Sequence, residues 1–197
     1  MTIFGLGNPT RRYALTRHNA GFMVTDELAR RLDARFRPLP WRLVATTKYV
    51  GVPLHLVKPT TYMNESGIAV KEQLLSNPDE FMVVIDDIAL PFGRIRLRPA
   101  GSDGGHKGLA SVIYHLGRDD FPRLRIGIGS PPPGCESTQY VLEPFTSSEM
   151  SSLPEIIARA ADACLVAVSE GLSMAMNRFN PECCASGRGS TTTEQSH

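Results

Sequence analysis

The sequence FMVVIDD, residues 81–87, sets an unbroken apolar run, Phe81 to Ile85, directly before two aspartates. The run is rich in β-branched residues, which favour strands, and it shows no alternation of apolar and polar positions. A strand without such alternation is buried on both faces, as in parallel sheets that carry helices on each side. The stretch therefore predicts a central strand of an α/β fold, with Asp86 and Asp87 at its carboxyl end.

Strand and helix patterns alternate on either side of this strand. Apolar and β-branched runs predict strands at Thr2–Leu6, at Arg42–Lys58 as two strands with a turn at Gly51-Val-Pro53, at Arg94–Arg98 and at Arg123–Gly129. Helical spacing predicts helices from Gly21 to about Leu32, over Ile68–Leu75, over Lys107–Leu116, and over Pro154–Arg178 as one long or two shorter helices. This order predicts a three-layer α/β/α fold around a mixed, partly parallel sheet.

Length and composition indicate one globular domain. The chain has 197 residues, of which 42% are hydrophobic and 21% charged, enough for a core that needs no disulfide or metal. We expect the domain to span residues 1–180, and residues 181–197, which are rich in Gly, Ser and Thr, to form a disordered tail. The apolar runs are too short to cross a bilayer and the first residues lack signal-peptide features, so the sequence predicts a cytoplasmic protein.

The basic residues are unevenly distributed along the chain. The formal net charge of +1 points to no particular partner, but between Arg94 and Arg125 basic residues clearly outnumber acidic ones. Such an enrichment can form a patch that faces phosphates. The alternative explanation of the same residues is a solvated surface of mixed charge.

The carboxyl ends of the predicted strands mark a site. Ligands of α/β folds bind where the strands end, which selects Asn8 after the first strand and Asp86-Asp87 after the buried one. His18, in Thr16-Arg-His-Asn-Ala-Gly21, lies in a loop that can return to the same edge. By residue type alone the alternatives stay open: a helix cap for His18, a turn former for Asn8 and solvated charges for the aspartates.

Two glycine-rich stretches come close to nucleotide-binding motifs but lack decisive residues. In Gly5-Leu-Gly-Asn-Pro-Thr10, a threonine stands in place of the third glycine of the dinucleotide fingerprint. In Gly101-Ser-Asp-Gly-Gly-His-Lys-Gly108, a histidine replaces the second glycine of a Walker A loop, and a glycine replaces its Mg²⁺-binding hydroxyl. Ser66 lacks the preceding strand and glycine of a hydrolase elbow. We therefore expect no bound nucleotide cofactor and no serine nucleophile.

The histidines and cysteines show no metal-binding spacing. The histidines are scattered and form no H-x-x-x-H pair: His18, His55, His106, His115 and His197. The cysteines form no C-x-x-C pair: Cys135, Cys164, Cys183 and Cys184. A metal site would have to be assembled entirely by tertiary contacts, so we expect none, and no cysteine has the setting of an activated thiolate.

Several short stretches occur together in a family's order and spacing. They are Gly5–Pro9, Tyr13 with Thr16–Gly21, Lys58–Asn64 with Ser66-Gly67, Asp86-Asp87 with Leu90-Pro91, Gly104–Leu109, and Arg123–Gly129. Together they resemble bacterial-type peptidyl-tRNA hydrolase, and the similarity runs from the first residues to about Phe179. The motifs are specific to this family and its close relatives.

The resemblance implies hydrolysis of the ester that joins a peptide to the 3′ ribose of tRNA, which recycles tRNA from stalled ribosomes. It implies a single α/β domain, usually monomeric, without a metal or organic cofactor. His18 matches the catalytic histidine, Asp86 the carboxylate beside it and Asn8 a site asparagine. An imidazole can take a proton from water at neutral pH while a carboxylate fixes its tautomer, so water is the expected nucleophile.

The resemblance also implies residues that bind the substrate. Asn64 matches a second site asparagine, Tyr62 and Met63 would form an apolar wall for the peptide or the terminal adenine, and Arg98 and Arg125 match positions linked with tRNA phosphates. On type alone, Asn64 could equally form a loop turn and Met63 belong to the core. The complete predicted binding set is Tyr13, Tyr62, Met63, Asn64, Arg98, Lys107 and Arg125.

Three positions depart from the family pattern. Lys107 stands where many members have asparagine, Ala89 replaces a second aspartate, and Gly134-Cys-Glu136 carries no basic residue where some members have one.

Two other functions stay open beside an esterase on peptidyl-tRNA. One is a non-catalytic RNA-binding relative, because this fold also serves in a plant organelle splicing factor. The other is an esterase on a different nucleotide-linked acyl group.

Overall fold

A computed structural model describes residues 1–78 and 80–181. Its strands are β1 (Thr2–Gly5), β2 (Arg37–Leu39), β3 (Arg42–Tyr49), β4 (Val52–Pro59), β5 (Phe81–Asp87), β6 (Ile95–Arg98) and β7 (Arg123–Gly127). Its helices are α1 (Ala20–Arg31), α2 (Ser66–Ser76), α3 (Lys107–Leu116), α4 (Ser137–Tyr140), α5 (Ser147–Glu170) and α6 (Leu172–Phe179). Short 3-10 turns cover Arg11–Tyr13, Arg17–Asn19 and Met63–Glu65.

The strands form one mixed sheet, as predicted. Within the described residues its order is β2-β3-β4-β1-β5-β7-β6. β1 runs parallel to β4 and β5, and β5 runs parallel to β7. β3 is antiparallel to β2 and β4, and β6 is antiparallel to β7. The carboxyl ends of β1, β4, β5 and β7 therefore lie along one side of the sheet, which we call the carboxyl edge.

Neighbouring residues of the central strands pack into different cores. Ile3 of β1 belongs to a buried cluster with residues of α1 and α5, whereas Phe4 belongs to a cluster with residues of α2 and α3. Val84 and Val83 of β5 divide between the same two clusters. Helices thus cover both faces of the sheet, which confirms the predicted three-layer α/β/α fold.

The strand β5 is longer than the apolar run that predicted it. All its residues are buried, and its pairing with β7 continues through Asp86 and Asp87, opposite Ile126 and Gly127. The two aspartates are only 3% and 7% exposed, so the alternative that they are solvated charges is wrong. Their carboxylates need partners inside the protein.

Some boundaries differ from the predicted ones. The patterns miss β2 and α4, which are too short to show a period, and the turn predicted at 51–53 falls at Val50-Gly51. The long helix begins at Ser147 rather than at Pro154. A capping box sets this start, since the Thr146 hydroxyl accepts from the Glu149 N–H and the Glu149 carboxylate accepts from the Thr146 N–H.

Two glycines allow α1 to approach the sheet closely. A Cβ on Gly5 would lie 2.2 Å from the carbonyl oxygen of Gly21, and a Cβ on Gly21 would lie 2.4 Å from the carbonyl oxygen of Val84. Only glycine fits at either position. The contact sets the start of α1, and the 3-10 turn Arg17–Asn19 before it, against the carboxyl ends of β1 and β5.

Most of the predicted tail, residues 182–197, lies outside the described residues. Within the described part of the chain, no helix has both the length and the apolar character needed to cross a membrane.

Glu27 ties α1 into an ion-pair network. Its carboxylate lies 2.8 Å from Arg30 Nε and 2.6 Å from Arg31 Nε, and Arg31 also lies 2.6 Å from Asp162 of α5. The hydrogen bond from Arg30 is the largest cause that lowers the pKa of Glu27 from 4.5 to about 2. A carboxyl with a lowered folded-state pKa stabilises the fold above its unfolded pKa, and that stability is lost as the pH falls through the folded value.

We expect Glu27→Gln to lower the thermal unfolding midpoint at pH 7 by roughly 1–3 °C, since the network is partly exposed. The difference from the wild type should shrink as the pH falls from 4.5 towards 2, the interval between the two pKa values. Thermal unfolding followed by circular dichroism measures it, with Glu72→Gln on α2 as the control. A difference that stays constant over this pH range would refute the role of the ionised carboxylate.

Candidate active site

His18 and Asp86 are in contact at the carboxyl edge. Nδ1 of His18 lies 2.9 Å from Oδ1 and 3.1 Å from Oδ2 of Asp86. The two residues are buried, with 7% and 3% exposure. Asn19, not His18, precedes the first residue of α1, and the His18 ring bonds to Asp86. The alternative that His18 serves as a helix cap is therefore wrong.

A second histidine, His106, binds the same carboxylate. Its Nε2 lies 3.0 Å from Oδ1 of Asp86, and its Nδ1 accepts a hydrogen bond of 3.1 Å from the backbone N–H of Leu109 at the start of α3. An Nδ1 that accepts carries no hydrogen, so Nε2 carries it and donates to Asp86. The sequence patterns do not assign this role to His106. Its place just before a predicted helix was the available signal for a capping residue.

The hydrogen bonds fix the tautomer of His18. Because the Asp86 carboxylate only accepts, Nδ1 of His18 carries the hydrogen, and Nε2 keeps its lone pair. Within the described residues Nε2 makes no hydrogen bond. Burial opposes ionisation of Asp86, but its electrostatic interactions and hydrogen bonds with His18 and His106 outweigh it. The pKa of the carboxyl therefore lies well below its ordinary value, and Asp86 stays ionised.

Asn8 is held by a second asparagine. The side chain of Asn19 accepts from the Asn8 backbone N–H at 2.8 Å and donates to the Asn8 carbonyl at 3.1 Å. Oδ1 of Asn8 accepts from the Met63 backbone N–H at 2.9 Å, which assigns the orientation of the amide. Its NH₂ group is left as a donor towards the site. The sequence patterns do not assign the clamping role of Asn19.

Two cavities meet at His18. The first, of about 260 Å³, lies beside Asp86, and its charged and hydroxyl-bearing lining residues are Asp86, Asp87, Asp103, Lys107, Arg125, Ser137 and Thr138. The second, of about 350 Å³, is lined by Asn8, Met63, Asn64, Lys107, Thr138, Val141 and Leu142. His18 lines both. A reacting group at Nε2 can thus have one substituent in each cavity.

Arg17 holds in place a segment that forms a wall of both cavities. This wall, residues 137–145, is bound to the 3-10 turn because the His18 N–H donates to the Val141 carbonyl at 2.8 Å. Arg17, only 3% exposed, lies 2.8 Å from the Glu149 carboxylate and stacks over the Tyr140 ring at 4.2 Å. A buried arginine with these partners is a rigid connection between His18 and the wall.

Four further predicted residues lie at the cavities. Lys107, the first residue of α3, is exposed and lines both of them. Asn64 is also exposed and lines the second cavity. Met63 lines that cavity and, at 4% exposure, also belongs to a core cluster. Both predicted roles, a wall of the binding site and a core residue, are therefore compatible. Arg125 lines the first cavity, where Nε forms an ion pair with Asp87.

The other predicted binding residues lie outside the lining of these cavities. Tyr62 is 55% exposed and directly precedes Met63. Tyr13 is half-buried, with the Arg12 guanidinium over its ring. Arg98 pairs with Arg123 at the start of β7. This register puts Arg98 towards the opposite edge of the sheet.

The cluster of His18, Asp86 and His106 also has the composition of a metal site. Their ligand atoms all lie within 4.8 Å of one another, so tertiary contacts bring together histidines that are scattered along the chain. The hydrogen bonds fit a metal poorly, however. A metal on Nε2 of His106 would require Nδ1 to carry the hydrogen, which would break the bond that caps α3.

Comparisons with known proteins agree with one another. A family model described as peptidyl-tRNA hydrolase matches residues 2–187. A peptidyl-tRNA hydrolase of Chloroflexus aggregans is 49% identical over 184 residues, covering 91% of this chain and 98% of the relative. One from Thermodesulfovibrio yellowstonii is 44% identical over 185 residues, with the same coverage. The crystal structure of peptidyl-tRNA hydrolase from Acinetobacter baumannii superposes with a TM-score of 0.86 at 33% identity, covering 91% of this chain and 93% of that one.

Proposed function

The chain belongs to the peptidyl-tRNA hydrolase family, and we propose that it hydrolyses the ester between a peptide and the 3′ ribose of tRNA with His18 as general base. The observation that carries this proposal is the 2.9 Å contact between His18 and Asp86, which leaves Nε2 free where two cavities meet. A base at such a junction can act on a water molecule beside a bond that joins two different groups.

In the proposed reaction, Nε2 of His18 takes a proton from water as the water oxygen attacks the ester carbonyl carbon. The carbonyl oxygen gains negative charge, which the Asn8 amide N–H stabilises. The intermediate then expels the ribose 3′ oxygen, which receives the proton from the imidazolium. The products are a tRNA with a free hydroxyl and a peptide carboxylic acid, which releases its proton to water and becomes the carboxylate. Asp86, ionised, keeps the His18 tautomer and stabilises the imidazolium.

His18 rather than His106 is the base because of what the second nitrogen of each ring does. Nδ1 of His106 caps α3, and its Nε2 hydrogen is committed to Asp86. Gaining a second proton would cost His106 its capping bond. His106 is therefore a positioning residue that holds the Asp86 carboxylate in place for His18.

The two cavities suit the two halves of the substrate. Arg125 and Lys107 in the first cavity match the phosphates and ribose of the tRNA end, and Arg98 extends this positive charge along β6. Met63 and Asn64 in the second cavity match an apolar side chain and a peptide backbone, with Tyr62 beside them. Tyr13 completes the proposed binding surface.

The proposal extends to the cellular setting. Residues 1–180 act as one monomeric catalytic domain in the cytoplasm, where it recycles tRNA from peptidyl-tRNA released by stalled ribosomes. The reaction as written uses water and side chains alone and calls for no cofactor. The rival function, RNA binding without catalysis, would not require a histidine with a free nitrogen held against a buried carboxylate.

Hydrolysis of N-acetyl-aminoacyl-tRNA compared with free aminoacyl-tRNA tests the proposed function. The proposal predicts cleavage of the first and little cleavage of the second, since only the blocked form resembles a peptide. Binding of tRNA without cleavage of either substrate would favour the non-catalytic alternative. Cleavage of both at similar rates would favour an esterase of another specificity.

Arg125→Ala and Arg98→Ala are expected to raise the KM for N-acetyl-aminoacyl-tRNA and to reduce the salt slope of tRNA binding by about one each. The reason is that each guanidinium replaces a counterion on the phosphates. Filter binding at several salt concentrations measures the slope. Lys48→Ala is the control, because Lys48 lies on β3, which β4, β1 and β5 separate from β7 and β6 in the sheet. Unchanged slopes in both arginine variants would indicate that the tRNA binds to another surface.

A further inference from the structure

The turn between β2 and β3 lies on the carboxyl edge, two strands away from β1. Arg42, the first residue of β3, pairs with Pro59, the last residue of β4, and β4 ends on the same edge as β1. The carbonyl of Trp41 accepts a hydrogen bond of 2.7 Å from the backbone N–H of Thr60. Thr60 begins the segment that leads directly to Met63 in the second cavity. The turn is thus continuous with the proposed site.

Three large apolar residues on this side of the site are exposed to solvent. Leu39 is 47%, Trp41 58% and Tyr62 55% exposed. We call these three residues the rim. Trp41 is the single tryptophan of the chain. Exposed aromatic side chains next to a binding cavity contribute large contact areas to a ligand at low entropic cost.

The turn that carries Leu39 and Trp41 is preorganised. Trp41 adopts a φ of 64°, a left-handed conformation that is uncommon for a bulky residue. The next residue, Arg42, is 6% exposed, and its guanidinium donates to the Gln73 side chain at 2.8 Å and to the Pro40 carbonyl at 3.1 Å. A buried arginine thus anchors the turn to α2. Strain of this kind persists where the surroundings enforce it, and it clusters at ligand-binding positions.

The sheet separates the rim from the basic residues. The order β2-β3-β4-β1-β5-β7-β6 puts the rim at one end, the arginines of β6 and β7 at the other, and His18 with Asp86 between them. Peptidyl-tRNA has one polyanionic arm and one peptide arm on either side of the ester. The arginines suit the polyanion, so the peptide arm extends in the direction of the rim.

We propose that Leu39, Trp41 and Tyr62 form a subsite for the peptide of the substrate, at about the third to fifth residue from the ester. This inference rests on the proposed function. Two strand spacings of about 4.8 Å separate β1 from β3, and an extended peptide advances about 3.3 Å per residue. An N-acetyl-aminoacyl group is therefore too short to reach Trp41, whereas a chain of six residues passes over it.

Steady-state kinetics with two substrates of different length test the subsite. The two substrates are N-acetyl-aminoacyl-tRNA and a hexapeptidyl-tRNA with the same tRNA and the same residue at the ester. Trp41→Ala should raise the KM for the hexapeptidyl substrate by roughly three- to tenfold, leave the KM for the short one unchanged, and leave both kcat values unchanged. Trp41→Phe should restore most of the affinity. Tyr114→Ala is the control, since Tyr114 is 82% exposed on α3.

The fluorescence of Trp41 gives an independent readout in the His18→Ala variant, which holds the substrate without cleaving it. Hexapeptidyl-tRNA should shift the emission to shorter wavelength, and deacylated tRNA should not. Equal KM changes for both substrates, or a shift with deacylated tRNA, would assign Trp41 to RNA contact and overturn the proposal. If the wild type cleaves both substrates and Trp41→Ala has the wild-type KM for each of them, the subsite is refuted. The proposed function would still stand in that case. Cleavage of neither substrate would refute the proposed function itself.

Discussion

His18→Ala is expected to lower the turnover of N-acetyl-aminoacyl-tRNA by about 10²- to 10⁴-fold, the usual contribution of a general base. The substitution removes the Nε2 lone pair that is proposed to take the proton from water. Affinity for tRNA should survive, because in the proposed complex the arginines, and not the ring, contact the phosphates. Single-turnover kinetics at saturating enzyme measure the chemical step, and filter binding with deacylated tRNA measures the affinity.

A second histidine supplies the matched control. His55 of β4 pairs with Thr2, the first residue of β1, so it lies at the end of these strands away from the site. His55→Ala should keep wild-type turnover, which separates loss of a base from loss of any histidine. Near-normal turnover of His18→Ala would remove His18 from the proposed mechanism.

Asp86→Asn is expected to lower turnover by a comparable factor, about 10²- to 10⁴-fold. Oδ1 of Asp86 accepts from both histidines, and Oδ2 lies 3.1 Å from Nδ1 of His18. In either orientation, an amide there sets its NH₂ group against a ring N–H. It therefore opposes the tautomer of His18 that leaves Nε2 free. It also removes the charge that stabilises the imidazolium.

The control for this substitution is another aspartate in an ion pair. Asp26 of α1 pairs with Lys58 and is largely exposed, so Asp26→Asn should keep near wild-type turnover. The same single-turnover assay applies to both variants. If Asp86→Asn cleaved as fast as Asp26→Asn, the carboxylate would have no part in the chemistry, despite its contact with His18.

The sequence predicts the central features because they depend on local pattern. The unbroken apolar run before Asp86 identifies β5, and the ends of β1 and β5 select Asn8 and Asp86. These side chains and His18 then meet as the α/β rule requires. The placement of His18 is the least local part of that prediction. Its loop returns to the carboxyl edge because Gly21 approaches β5 closely.

The supporting residues escape sequence reading because their partners are distant in the chain. His106 reaches Asp86 only once α3 is placed, and Arg17 finds Glu149 across more than a hundred residues. Arg123 shows the opposite error. It contributes to the basic enrichment, yet it is 2% exposed, and its guanidinium donates to the carbonyls of Gly101, Ser102, Asp119 and Phe121. Counting charges cannot distinguish such a buried arginine from one that faces a phosphate.

A double-mutant cycle tests most directly whether His18 and Asp86 act as one unit on water. Single-turnover rates for N-acetyl-aminoacyl-tRNA are compared among the wild type, His18→Ala, Asp86→Asn and the double variant. If, as proposed, Asp86 works through His18, the double variant should cleave within roughly threefold of His18→Ala. Losses that multiply instead, so that the double variant is slower by the product of the two factors, would contradict the account.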